Sequence, residues 1–298
     1  MSVSQHIMVH VGGLTCGAED LVVYLASNRA ALRREGFGLY CFDVNGAGGD
    51  TMGDIMPPPG ASPRDLDEAG ATLARRFAPD RKAAEIGFCI SATELAGPLP
   101  ELLLGRFHPQ VRARASVLRR AIGQRVDRLV MVVQPYEELL HTCWMMMALD
   151  RRIDPFADYA QSVWQFRSGW ADMAEALCEE LEVEELVVRA APFAPAEMVR
   201  TLLPGVPLRP IVDPLPKPRV TPSAVAMVQR CMAQGTRLQA GQRDRLVAFH
   251  ARQPQIPTDY CLAPRERDSL RARYLDDIAR MQARLGAVVE GLPEPVAA

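Results

Sequence analysis

The sequence has no long hydrophobic run, no excess of either charge and no paired cysteines, and each absence removes a class of function. No stretch approaches the roughly 18 apolar residues that a membrane helix requires. The nearest candidate, Leu139 to Leu149, is too short and contains His141. Basic and acidic residues nearly balance, 34 against 36, for a formal net charge of -2. That balance offers no broad basic field for nucleic acid and no acidic tail. Seven cysteines stand at positions 16, 41, 89, 143, 178, 231 and 261, and no two make a CxxC. Neither a disulfide framework nor a zinc site is indicated, and a reducing cytoplasm is the expected location. The amino-terminal segment has no basic stretch ahead of its apolar run, so it reads as a first strand and not as a signal peptide.

What is present alternates. His6 to Val11 is a short apolar run closed by Gly12-Gly13, a strand and then a turn. Leu21, Tyr24, Leu25 and Leu32 recur at helical spacing until Gly36. Further strands are expected at Gly38 to Phe42, Glu85 to Ser91, Arg128 to Val133 and Glu185 to Arg189. Helices are expected at Leu66 to Phe77, Val111 to Gly123, Pro135 to Leu149 and Phe156 to Leu181. Asp43 to Asp67, rich in Gly and Pro, reads as a long, mobile loop that could close as a lid. Strand and helix in alternation predict an α/β fold, a parallel sheet with helices on both faces. The prolines from Pro207 to Pro218 form a stiff linker. They divide an α/β core, residues 1–215, from a helical extension, residues 216–298, packed on that core. Its helices are expected at Pro222 to Gly235, Ala240 to Arg252 and Pro264 to Leu285, with no strand between them. With 298 residues, the chain can bury roughly 75% of its unfolded surface and needs no metal to hold it together.

In open parallel sheets ligands bind beyond the carboxyl ends of the strands. The first strand ends in His10-Val11-Gly12-Gly13-Leu14-Thr15-Cys16-Gly17, followed by a helix from about Gly17. A Gly-rich turn into a helix offers free backbone N–H groups and a positive dipole end, which together cradle phosphate.

Val9 to Tyr40 resembles the opening of bacterial sulfotransferase-family proteins: a strand, then H-I-G-x-x-K-T-G-[ST]-[ST]-x-L, then a helix ending N-R-x-x-L-x-x-x-G. His10, Gly12, Gly17 and Leu21 match the loop, and Asn28, Arg29, Leu32 and Gly36 match the helix. Cys89 to Glu94 resembles the family's I-S-S-E strand end, and Val132 to Glu138 its V-V-R-x-x-D-D segment. Trp170 to Phe193 resembles the helix, strand and V-R-P-F step, and Pro222 to Leu285 the closing helices. The resemblance implies a P-loop-like sulfotransferase fold with 3′-phosphoadenosine-5′-phosphosulfate as cofactor. It places that donor on Gly12, Gly13, Leu14, Thr15, Cys16, Gly17 and Ala18 at one end, and on Gln134 and Thr142 at the other. A small-molecule or glycan hydroxyl would be the acceptor, with Glu94 or His10 as catalytic base. No metal, nucleic acid or membrane span is expected.

The departures from the family pattern lie at the donor. Thr15 stands at the lysine position, and Ala18 and Glu19 stand at the two hydroxyl positions. Glu19 and Asp20 suit a helix N-terminus but oppose an anion there. One like-charge contact at ~4 Å costs about 4 kcal/mol at an effective dielectric near 20. Gln134 replaces the arginine that grips the 3′-phosphate, and a neutral donor is weaker than a bidentate guanidinium. Three functions follow as expectations. The first is a binding or scaffolding protein that has lost its donor. The second is an active sulfotransferase completed by a basic residue from elsewhere, with Arg112, Arg114 and Lys217 as candidates. The third is a protein for a less anionic ligand.

Overall fold

The computed structural model describes residues 5–12, 18–41, 52–163, 166–206, 219–254 and 262–292. Its strands are β1 (His6–Gly12), β2 (Phe37–Cys41), β3 (Gly87–Ser91), β4 (Arg128–Val133), β5 (Glu185–Ala190) and β6 (Val288–Glu290). The helices up to β5 are α1 (Ala18–Ser27), α2 (Arg29–Arg34), α3 (Met52–Ile55), α4 (Pro63–Lys82), α5 (Leu99–Leu103), α6 (Val111–Ile122), α7 (Tyr136–Asp150), α8 (Phe156–Val163) and α9 (Trp170–Leu181). After β5 come α10 (Pro195–Leu202), α11 (Pro222–Ala233), α12 (Ala240–Ala251) and α13 (Pro264–Leu285). A short 3-10 turn, Thr93–Ala96, follows β3 directly.

The strands form one six-stranded sheet in the order β2-β3-β1-β4-β5-β6, every pairing parallel. Parallel strands are covered on both faces, so they read as continuous apolar runs. All five residues of β3 are buried, as are Leu129 to Val133 of β4. The chain leaves β1 toward β2 on one side and leaves β3 toward β4 on the other. Right-handed crossovers put the helices of those opposed steps on opposite faces. Accordingly α4 packs on α6, α6 on α9 and α9 on α13, while α1 packs on α10 and α10 on β1 and β4. Where the winding reverses, the carboxyl ends of β1, β3 and β4 frame the crevice in which such sheets bind ligands.

Local sequence sets the boundaries. The Ser62 hydroxyl accepts from the Asp65 N–H while the Asp65 carboxylate accepts from the Ser62 N–H, a capping box with Pro63 in the first turn. α3 lies, and α4 begins, inside the segment expected to be a loop, which is corrected at Met52–Ile55 and from Pro63 onward. Its stretch from 43 to 51 lies outside the described residues, and the lid expectation for that stretch lies there with it. The single helix expected from Phe156 to Leu181 is two, because Gly169 is extended and its N–H donates to Asp172, opening a new helix at Trp170. The linker expected at Pro207 to Pro218 lies outside the described residues. The helices expected after it are present, and β6 follows them, pairing with β5.

The last helix is tied to the core by buried polar contacts. Tyr136 donates its hydroxyl proton to Asp277, and the Trp170 N–H reaches both the Tyr136 hydroxyl at 2.8 Å and the Asp277 carboxylate at 3.0 Å. Arg273 lies 4.2 Å over the Phe166 ring, and Arg280 joins Asp172 and Asp277, each at 3.1 Å. Every carbonyl of the segment from Phe166 to Ser168 accepts a hydrogen bond from Arg273.

Candidate functional site

At the reversal of winding, His10 is fully buried in β1. Register places it opposite Ser91, whose hydroxyl lies 3.0 Å from His10 Nδ1. His10 Nε2 has no hydrogen-bond partner among the described residues and lies 3.3 Å from where a Cβ on Gly12 would stand. Burial pushes the imidazole pKa down to about 4, so the ring is neutral at pH 7. It supplies an uncharged polar edge beside the first loop, not a cation for phosphate. Gln134, buried directly after β4, is also uncharged, and its backbone carbonyl accepts from the Trp170 indole at 2.9 Å. Thr142 lies half-buried on α7, about two turns further on. Gly12 ends β1, and Ala18 is the first residue of α1. Gly13, Leu14, Thr15, Cys16 and Gly17 lie outside the described residues.

Glu94 sits in the 3-10 turn after β3, beside a cavity of about 260 Å³. The polar part of the wall is Thr93, Glu94, His108 and Arg114, and the apolar part includes Pro98, Leu99, Leu102 and Leu139. The Arg114 guanidinium comes from α6 and donates through Nη1 to the Glu94 backbone carbonyl at 2.6 Å. Its Nε is buried, unpartnered among the described residues, and 3.9 Å from the Cβ position of Gly97. Gly97 has φ +88, a left-handed conformation that favours glycine.

His108 is buried, and its ring lies close to the Ala96 backbone. Its Nε2 has no hydrogen-bond partner among the described residues. Burial above all, with the Arg114 charge adding to it, lowers this ring to about 4. Glu94 Oε1 is likewise buried and unpartnered, while Oε2 accepts from the Thr93 hydroxyl at 3.3 Å. Burial raises the Glu94 pKa, Arg114 works against that rise, and Asp54 reinforces it. Three elements thus bring a guanidinium, a carboxyl group and a neutral imidazole to one small cavity.

A larger cavity, about 430 Å³, opens at the amino ends of the strands and includes His6, Asp127, Arg128 and Glu185. Its charges already answer one another. Arg128 pairs with Glu185 at 2.5 Å, and the Asp127 carboxylate accepts from the Ile7 N–H at 2.6 Å. It lies at the end of the sheet opposite the crevice.

Of the residues expected from sequence, the fold brings His10, Gly12 and Glu94 to neighbouring strand ends, with the Ala92 N–H donating to the His10 carbonyl at 2.8 Å. Arg114, named among the basic candidates, reaches the cavity, whereas Arg112 faces away and pairs with Glu179 and Glu180. His108 was missed. It precedes Pro109 in a loop and adopts φ 45, a conformation no pattern in the sequence announces. Among the described residues no group of three or more His, Cys, Asp or Glu is placed to hold a metal ion, and no helix is long and apolar enough to cross a membrane. Comparison with protein-family models, with curated proteins and with solved structures finds no match.

Proposed function

We propose that this chain is a sulfotransferase-like protein that has lost effective binding of 3′-phosphoadenosine-5′-phosphosulfate and acts as a binding or scaffolding protein. The observation that carries this reading is the charge at the strand ends. His10 and Gln134 are uncharged there, and Arg114, the guanidinium on the cavity wall, shares that wall with Glu94. The first loop adds no lysine or arginine between Gly13 and Gly17. A donor with phosphate at both ends needs cations at both. Charge-assisted hydrogen bonds contribute roughly 1.5–3 kcal/mol each. Losing two weakens binding about a hundredfold or more, since 1.4 kcal/mol is about tenfold.

One observation favours a second reading, an active sulfotransferase acting on a glycan or other hydroxyl. The raised carboxyl of Glu94 beside Arg114 is a better proton acceptor than an ordinary glutamate. Calorimetric titration with 3′-phosphoadenosine-5′-phosphate separates the two. The unmodified protein is expected to show no saturable binding below millimolar concentration. The combined change Thr15→Lys, Ala18→Ser, Glu19→Thr and Gln134→Arg is expected to gain measurable affinity. Micromolar binding by the unmodified chain, or no gain in the variant, would overturn the first reading.

A further inference from the structure

The cavity beside the Thr93–Ala96 turn holds a charge arrangement that does not depend on the sulfotransferase reading. Glu94 and Arg114 line the same space, yet the guanidinium and the carboxylate make no ion pair within 4.0 Å. Each keeps a buried atom without a partner: Glu94 Oε1 is an acceptor, and Arg114 Nε is a donor. The neutral His108 ring adds a third unpartnered atom, Nε2, an acceptor in the tautomer that carries its proton on Nδ1. Buried charges are ordinarily paired, and buried polar atoms ordinarily find a hydrogen bond. Here a donor, an acceptor and an imidazole nitrogen remain, in a wall whose other polar side chain is Thr93 and whose remainder is largely apolar.

The ligand that answers all three carries an anionic acceptor and a cationic donor within a few bonds of each other. It must be small enough for about 260 Å³ and present an apolar face to Pro98, Leu99, Leu102 and Leu139. We propose that this cavity binds a free α-amino acid with a compact apolar side chain, its carboxylate on Arg114 and its ammonium group between Glu94 and His108. A zwitterion gives each protein charge an opposite charge and leaves the complex electrically unchanged. A simple carboxylate would leave Glu94 facing added negative charge. A simple amine would do the same to Arg114 with positive charge.

The test uses the full chain and needs no variant for its first arm. Thermal unfolding and calorimetry are followed with L-alanine, L-valine and L-leucine, and in parallel with isobutylamine and 2-hydroxyisovalerate. These last two keep the valine shape with one charged group removed. The expected result is a saturable rise in Tm with at least one of the amino acids, and affinity at least tenfold lower for the amine and the hydroxy acid. Glu94→Gln and Arg114→Gln are each expected to cut the affinity for that amino acid by tenfold or more. His108→Asn, which suits the left-handed backbone at that position, is expected to reduce it less. No response to any of the three amino acids at tens of millimolar overturns the proposal. So does equal binding of the amine or the hydroxy acid, or full affinity retained by folded Arg114→Gln. Failure of the sulfotransferase reading shows instead in the nucleotide titration, which these ligands do not enter.

Discussion

Acid should unfold this protein through two histidines before its carboxylates matter. His10 and His108 are buried and neutral, and burial has taken each from an ordinary value near 6.5 to about 4. In the unfolded chain both titrate normally. Below pH 6.5 the unfolded state therefore binds protons that the folded state refuses, and stability falls as pH falls. The loss begins near pH 6.5 and is complete only below about 4, the folded-state value. Over that window each ring costs about 3 kcal/mol, and the pair about 6, against a typical domain stability of about 5–15 kcal/mol. At pH 6 the pair alone gives a slope of about 2 kcal/mol per pH unit. His141, also lowered by burial, acts in the same direction. Glu94, Glu138 and Asp277 act in the opposite direction, because burial raises them and the folded state then takes up protons before the unfolded state does. Their effect grows toward lower pH, so the diagnostic range is pH 7 to about 5.5. Urea denaturation across that range should show the slope, and His10→Gln and His108→Asn should each remove about half of the pair's share. The readout is a slope, so it survives an overall loss of stability in either variant. Histidine ring protons titrating near pH 6.5 in the native NMR spectrum at both positions, or an unaltered slope in the double variant, would refute the reasoning.

Two further outcomes follow from packing. A Cβ on Gly169 would collide with the Asp277 carboxylate and the Tyr136 hydroxyl. Gly169→Ala should therefore cost at least about 2 kcal/mol in urea denaturation, and a change under about 0.5 kcal/mol would sink that account. Burial pushes the thiols of Cys143 and Cys178 up to about 12 and about 11, and Cys89 higher still. At pH 8 iodoacetamide should leave Cys89 and Cys143 unmodified by mass spectrometry until denaturant is added. Alkylation of native Cys89 as fast as a small thiol in solution would contradict its burial.

Much of the fold was legible because buried parallel strands write themselves as short apolar runs. Arg128 to Val133 was read with its true ends, since a basic residue precedes it and Pro135 closes it soon after. β6 was not legible: three residues at a sheet edge carry too little pattern to separate from a helix tail. The break in the Phe156 to Leu181 segment was hidden because Gly169 interrupts a run whose apolar spacing continues on both sides. For the site, the carboxyl end of β3 drew attention to Glu94 because strand ends in such sheets face ligand. Nothing in the sequence joined it to His108 and Arg114, which arrive from a loop and from α6. Their meeting depends on how α6 lies across the sheet, a long-range property that local periodicity does not encode. Arg112 and Arg114 look alike in sequence, two positions apart on one helix. A step of two residues turns a helix through more than half a revolution, so one meets Glu179 and Glu180 while the other meets the cavity.

The edge pairing of β6 sets an order of events during synthesis. β5 ends at Ala190 and its outer neighbour begins at Val288, so about 100 residues must be made before that edge is closed. At about 5–20 residues per second, the open backbone of β5 waits about 5–20 seconds on the ribosome. An unpaired strand edge is a template for another chain's strand. The nascent protein therefore passes through an interval in which its most hazardous surface is a hydrogen-bonding one, and the last few described residues are what end it.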